Sequence, residues 1–249
     1  MSGHSKWSTI KHKKAKEDAK RGKVFTKVIR EITMSAREGG GDPESNPRLR
    51  AAVLAAKAAN MPQDNIKRAV QRGTGELPGV SYESVSYEGY GPGGVAVMVE
   101  VLTDNRNRTT PEIRHLFAKH GGNLGETGCV GWLFSRKGLI LLPRASGPDE
   151  DALTEALLEI GAEDLDSEDD ELFRVFTAPD ELHRVKEELE RRGFPVETVE
   201  FEMEPSTTQR LDGKQAQQMI RLMEAFEDHD DVQNVWANFD IDEQLLAEM

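Results

Sequence analysis

The chain has 249 residues, 37% hydrophobic and 31% charged, with a net charge of −13 and a pI near 5.0. That length allows two or three modules, each with its own core, and the persistent apolar periodicity excludes disorder throughout. Cys129 is the lone cysteine, which excludes an intrachain disulfide or a thiolate zinc cluster and fits a reducing cytoplasm, and no apolar run approaches the ~18 residues of a membrane span.

The net charge conceals a segregation. Up to Gly75 there are 17 Lys and Arg against 7 Asp and Glu. Such a basic segment in an acidic chain is the electrostatic footprint of a polyanion partner. Residues 1 to 15 hold Trp7 and Ile10 as their large apolar groups among Lys6, Lys11, Lys13 and Lys14, too little to order the segment, so an adaptable arm is predicted. From Ala15 to Glu38, Phe25, Val28, Ile29, Ile32 and Ala36 recur at three- and four-residue steps and predict a helix with one buried stripe. Lys20, Lys23, Lys27 and Arg30 follow the same steps as a second stripe, predicted to face water. Gly39, Gly40 and Gly41 end this helix.

Asn46 and Pro47 read as an N-cap and first-turn pair for a second helix, with Leu49, Ala52, Val53 and Ala56 as its apolar face. Asn60 closes it. Pro62 opens a third helix with Ile66, Ala69 and Val70 inward, Lys67, Arg68 and Arg72 outward, and Gly73 as terminator. The tight connection at residues 60 to 62 resembles a helix-turn-helix in outline, a turn that ordinary small bundles also use.

Beyond residue 75 the pattern changes to strands. Strands are predicted at 85 to 90 and 95 to 102, a helix at 110 to 120, and strands at 123 to 127 and 129 to 135. A full βαββαβ series follows, with strands at 138 to 142, 163 to 167, 171 to 177 and 195 to 203, and helices at 149 to 160 and 179 to 192. A helix at 212 to 227 and a strand at 232 to 239 complete the first series. The fold class is therefore α+β, an N-terminal three-helix bundle followed by two ferredoxin-like domains, one inserted in the other. The expected domains are a bundle with its arm at 1 to 76, a middle domain at 77 to 136 and 206 to 249, and an insert at 137 to 205. From Gly138 to Pro205 there are 6 basic and 21 acidic residues, so the insert repels polyanions and suits a basic protein partner.

Lysines neutralise phosphate without reading bases, arginines add planar donors, and Trp7 suits stacking on an unpaired base. The nucleic-acid-binding candidates are Lys6, Trp7, Lys11, Lys13, Lys14, Lys16, Lys20, Arg21, Lys23, Lys27 and Arg30, with Arg106 and Arg108 added from the loop before the fourth helix. There Thr109 or Thr110 is the expected cap and Pro111 lies in the first turn, so the two arginines sit near the positive end of a helix dipole. Ion pairs with neighbouring carboxylates are the alternative role for them. Enzyme readings find little support. Gly89 to Gly94 lacks the Lys-Ser/Thr ending of a phosphate loop and suits a hairpin connection. His4, His12, His115, His120, His183 and His229 show no metal-ligand spacing, and no catalytic set, cofactor site or metal site is expected. Trp132 and Phe134 alternate on a predicted strand, where core packing explains them better than an RRM-type stacking face.

Four segments carry a resemblance: GHSKWSTIKHKKAKEDAKRGKVFTKVIREI, NPRLRAAVLAAKAANMPQDNIKRAV, the long run YEGYGPGGVAVMVEVLTDNRNRTTPEIRHLFAKHGGNLGETGCVGWLF, and DDVQNVWANFDI. Together they are similar to the YebC family of bacterial proteins, which also includes mitochondrial translational activators of cytochrome oxidase. The resemblance spans essentially the whole chain. It implies three domains, a helical bundle and two α/β domains, in a bacterial form without an import peptide. It also implies a cytoplasmic, non-enzymatic regulator that binds DNA, or alternatively a translation factor that binds ribosomal RNA or tRNA on the ribosome and helps decode difficult stretches such as consecutive prolines.

Overall fold

The computed structural model describes residues 21–145, 149–167 and 169–241. Among them are seven α-helices and two four-stranded antiparallel sheets, an α+β architecture. The described residues divide into two compact units: Trp132–Thr207 forms one, and the described residues before and after it form the other.

The larger unit begins with three helices, α1 (Arg21–Gly39), α2 (Pro47–Ala58) and α3 (Gln63–Gly73). Their core is the set that the apolar spacing predicts: Ile32, Ala36, Leu49, Ala52, Val53, Ala56, Ile66 and Ala69 are buried, with Phe25, Val28, Ile29 and Val70 packed against them. Asn46 caps α2 as expected. Its Oδ1 accepts the Leu49 N–H at 3.1 Å, while Nδ2 donates to the carbonyls of Ser35 and Gly40, both at 2.8 Å. One side chain thus starts α2 and closes the end of α1. Replacing it with Ala removes the cap and orphans two carbonyls, so Asn46→Ala is expected to cost about 2 kcal/mol, read as a lower urea midpoint. Gly73 ends α3 as expected, and it has a second role. It is the last residue of α3, and a Cβ there would meet the Thr33 carbonyl oxygen at 2.4 Å, so its bareness lets α3 lie directly on α1.

The same unit continues as a sheet in the order β3-β1-β2-β9, formed by β1 (Glu83–Tyr90), β2 (Ala96–Thr103), β3 (Asn123–Leu124) and β9 (Val232–Ala237). Helices α4 (Arg106–Lys119) and α7 (Gly213–Glu227) cover one face. Phe117 and Phe226 meet edge to face at 4.9 Å above Val97, Val99, Val101 and Val235. The glycine-rich turn at 91 to 94 is the expected hairpin connection, pairing Tyr90 with Ala96.

One expectation fails here. The predicted strand at 129 to 135 does not form; Gly131–Leu133 is a single 3-10 turn. The position it was expected to take, between β3 and β2, is occupied by β1, which comes earlier in the chain. The physical reason is Glu88 on β1. Its buried carboxylate accepts the backbone N–H groups of Gly128 (2.8 Å), Val130 (2.8 Å) and Gly131 (2.6 Å), curling the segment round one acceptor instead of extending it along a strand. Burial alone would raise the Glu88 pKa, but these three donors hold it below the ordinary value. Trp132 follows in the 3-10 turn and is 75% exposed, so core packing holds for Phe134 and is corrected for Trp132.

The smaller unit has strands β4 (Phe134–Pro143), β5 (Asp164–Asp166), β6 (Leu172–Thr177) and β7 (Thr198–Pro205) in the order β5-β6-β4-β7. Helices α5 (Glu150–Ile160) and α6 (Leu182–Arg191) pack on one face through Leu153, Leu157, Val185 and Leu189. This is the ferredoxin-like order that the βαββαβ pattern predicts. Its first strand starts at Phe134 and runs without a break through Gly138, where a Cβ would meet Thr177 Oγ1 at 2.3 Å; the glycine permits close strand pairing. On the opposite face of this sheet Arg174 and Glu202 form a buried pair at 3.0 Å, with burial as the main force raising the Glu202 pKa.

A short parallel pair, β8 (Gln209–Leu211) with β10 (Phe239–Ile241), completes the larger unit.

Candidate nucleic-acid interface

Lys6, Trp7, Lys11, Lys13, Lys14, Lys16 and Lys20 lie outside the described residues, as does the side chain of Arg21. The structure places the remaining candidates at one junction. Lys23, Lys27 and Arg30 lie on successive turns of α1 and do form one stripe; Lys23 is exposed as expected, but each of the three has an acceptor at or just beyond the C-terminal end of α7. Lys27 Nζ donates to the Glu227 carbonyl at 2.7 Å, and Lys23 pairs with Asp228 at 3.2 Å. Arg30 Nη1 reaches Asp231 Oδ1 at 2.6 Å and the Leu102 carbonyl at 3.4 Å. A helix C-terminus presents unsatisfied carbonyls and the negative end of the helix dipole, which Lys27 meets directly, while Lys23 and Arg30 are held by the carboxylates of Asp228 and Asp231 just beyond it. Their spacing signals a charged stripe equally well whether its acceptor is phosphate or this helix end.

Arg106 and Arg108 also need correcting. Asn105, not Thr109 or Thr110, is the N-cap, and its side chain accepts the Arg108 N–H at 3.2 Å. The helix therefore starts at Arg106, with both arginines in its first turn and Pro111 inside it. Arg108 is occupied by ion pairs, to Asp104 at 3.0 Å and to Asp231 at 2.7 Å. Arg106 is exposed and forms no ion pair among the described residues. Thr109, read from sequence as a cap, is instead fully buried and donates its hydroxyl to Asp231 Oδ2 at 2.6 Å.

Asp231 is thus the residue that sequence reading missed. Its side chain is 2% exposed and accepts from Arg30, Arg108 and Thr109, linking α1, α4 and the loop before β9. Burial on its own would raise the carboxyl pKa; Thr109 and the two guanidiniums outweigh it and hold the group at about 2. Beside it, the Asp231 N–H donates to His229 Nδ1 at 3.1 Å, which leaves Nε2 to donate to Glu112 Oε2 at 3.1 Å. In the sequence Asp231 is one more acid in the run Glu227 to Asp231, and nothing there marks it as the buried one.

Among the described residues no group of three or more His, Cys, Asp or Glu is arranged to hold a metal, and no helix is long and apolar enough to cross a membrane. Burial and the nearby Glu88 charge raise the Cys129 pKa, which favours the protonated thiol.

Two family models match the chain. Residues 5–76 match the TACO1/YebC protein N-terminal domain, and residues 82–239 match the TACO1/YebC second and third domain. The chain belongs to the TACO1/YebC family. Relatives along its full length include a protein of Persephonella marina, 57% identical with all of both chains covered. Another, from Pelotomaculum thermopropionicum, is 58% identical over 98% of this chain and all of that one. Both are named "Probable transcriptional regulatory protein". A crystal structure of a conserved hypothetical protein from Aquifex aeolicus has the same fold, with a TM-score of 0.85 at 53% identity, covering 93% of this chain and 95% of that one. The sequence resemblance to the YebC family is thereby borne out, and the likeness to the Aquifex aeolicus structure bears out the α+β fold.

Proposed function

We propose that this TACO1/YebC family member is a non-enzymatic, cytoplasmic regulator of gene expression that binds nucleic acid through its basic N-terminal segment. The observation that carries the reading is the charge segregation: 17 Lys and Arg against 7 Asp and Glu up to Gly75, in a chain of net charge −13. The names of the relatives support it. So does α3, whose Lys67, Arg68 and Arg72 are exposed and form no ion pair among the described residues. Because Lys23, Lys27 and Arg30 have acceptors within the fold, phosphate contact falls chiefly to Lys6, Lys11, Lys13, Lys14, Lys16 and Lys20, with Arg21 and Arg106 extending it. The acidic 137 to 205 region keeps polyanions off its own surface and suits a basic protein partner.

Duplex DNA is the first target this reading names. The second is ribosomal RNA or tRNA on the ribosome, favoured by Trp7, the one aromatic ring among the arm lysines, which suits an unpaired base. Replacing Lys11, Lys13 and Lys14 with Glu is expected to remove most binding and to flatten its salt dependence, each lost contact changing the slope by ~0.9 on duplex DNA or ~0.7 on a single strand. Fluorescence titration over a salt series checks this, and unchanged affinity overturns the assignment. Co-sedimentation with ribosomes against retention on promoter DNA in one buffer separates the two targets.

A further inference from the structure

Helices α4 and α7 lie side by side over the sheet, in contact through Phe117 and Phe226. Positions 108, 112 and 119 of α4 follow four- and seven-residue steps and so share one flank. At the N-terminal end of that flank the charges are consumed. Arg108 pairs with Asp231 and Asp104, and Glu112 accepts from His229. At the other end they are not. Lys119 and Arg221 are exposed, and neither forms an ion pair among the described residues.

Gln218 brings the two cations into one neighbourhood. It lies one turn before Arg221 on α7, and its Nε2 comes within 3.6 Å of the place a Cβ on Gly121 would occupy, just past the end of α4. His120 is the C-cap of α4, and His115 stands one turn back from Lys119. Complementing the helix dipole accounts for Lys119 in the last turn. It does not account for Arg221, which sits well inside Gly213–Glu227. His120 lies in the same neighbourhood: burial lowers its pKa first, and the nearby charges of Lys119 and Arg221 act in the same direction. Two exposed cations without an ion pair among the described residues, in an acidic protein, are complementary to neighbouring phosphates.

We infer that Lys119 and Arg221, with His115 beside them, form a second phosphodiester-contact surface on the α4–α7 face, in addition to the basic N-terminal segment. The inference rests on the nucleic-acid reading above. Two contact regions allow the protein to hold a bent or folded backbone at two places, which favours shaped targets over straight ones.

The test uses the full chain with Lys119→Glu and Arg221→Glu combined, beside wild type and the Lys11, Lys13, Lys14 variant. Affinity for a labelled duplex and a labelled RNA hairpin is measured across a salt series. The α4–α7 variant is expected to bind at least about tenfold more weakly at moderate salt, with a slope reduced by about 1.8 on the duplex. Lys119→Gln with Arg221→Gln is expected to fall between it and wild type. The His115 and His120 imidazole signals of the wild type are expected to shift when the oligonucleotide is added. If the arm variant loses binding while the α4–α7 variant keeps wild-type affinity and slope, the second surface is overturned and the function stands. If wild type itself shows no salt-dependent binding, both are overturned.

Discussion

Asp231→Ala is expected to lower stability by about 3 kcal/mol or more, because removing one partner of a buried ion pair leaves the other charge stranded. Arg30 bears most of this cost. Its side chain is only 13% exposed and its Nε has no acceptor among the described residues, whereas Arg108, at 43%, turns to water and keeps Asp104. The same carboxylate predicts an acid dependence. A pKa held at about 2 lies below the ordinary 3.8, so the folded state favours the ionised form. Its contribution is complete above pH 3.8, the ordinary value, and is lost as pH falls through about 2, with a size on the order of 2 kcal/mol. Urea denaturation at pH 7 and at progressively lower pH measures both effects; the variant and wild type are expected to converge in acid. Arg30→Met combined with Asp231→Ala is expected to cost clearly less than the sum of the single changes, since each then removes a charge the other no longer needs. Strict additivity would show that Asp231 is not the acceptor that matters to Arg30.

The second large effect is expected at Glu88. Glu88→Gln keeps the shape but loses the charge and one acceptor oxygen, and its amide would point N–H groups at N–H groups. Three backbone donors depend on that carboxylate, and hydrogen bonds to a charged acceptor contribute about 1.5–3 kcal/mol each, so a loss of about 3 kcal/mol is expected. The change should also be local. Hydrogen exchange at Gly128, Val130 and Gly131 is expected to accelerate far more than at Val97 or Val99 in the neighbouring strand. If those three amides keep their protection, Glu88 does not organise the loop.

Asp231 and Glu88 also mark where sequence reasoning stops. The bundle could be read directly because its information is local: apolar residues every three or four positions, and an Asn-Pro pair at the start of α2. The smaller unit could be read for the same reason, since its strands and helices alternate in the order in which they pack. The strand expected at 129 to 135 failed because alternating Val130, Trp132 and Phe134 satisfies a strand pattern by itself, while the group that curls the segment lies some forty residues earlier. The cations at 23, 27 and 30 showed as a stripe, but their acceptors did not. Two of those acceptors, the carbonyls of Glu227 and Leu102, belong to backbone that carries no sequence signature. Charge spacing reveals that a partner is needed; only the fold reveals whether the chain already supplies it.

The strand order of the larger sheet has a consequence for how the chain is made. Its centre, β1 and β2, is a hairpin contiguous from Glu83 to Thr103, and α4 and β3 follow at once. These pieces leave the ribosome in sequence and can associate through short-range closures, the fastest kind. The far edge is different. β9 reaches β2 only after the whole of Trp132–Thr207 has been synthesised, so the Val99↔Val235 pairing and the Asp231 contacts come late. Until residues 230 to 237 are made, neither the β2 edge that pairs with β9 nor Arg30 has its native partner. A chain ending before β9 would leave β2 as an unpaired strand edge, the kind that recruits another chain.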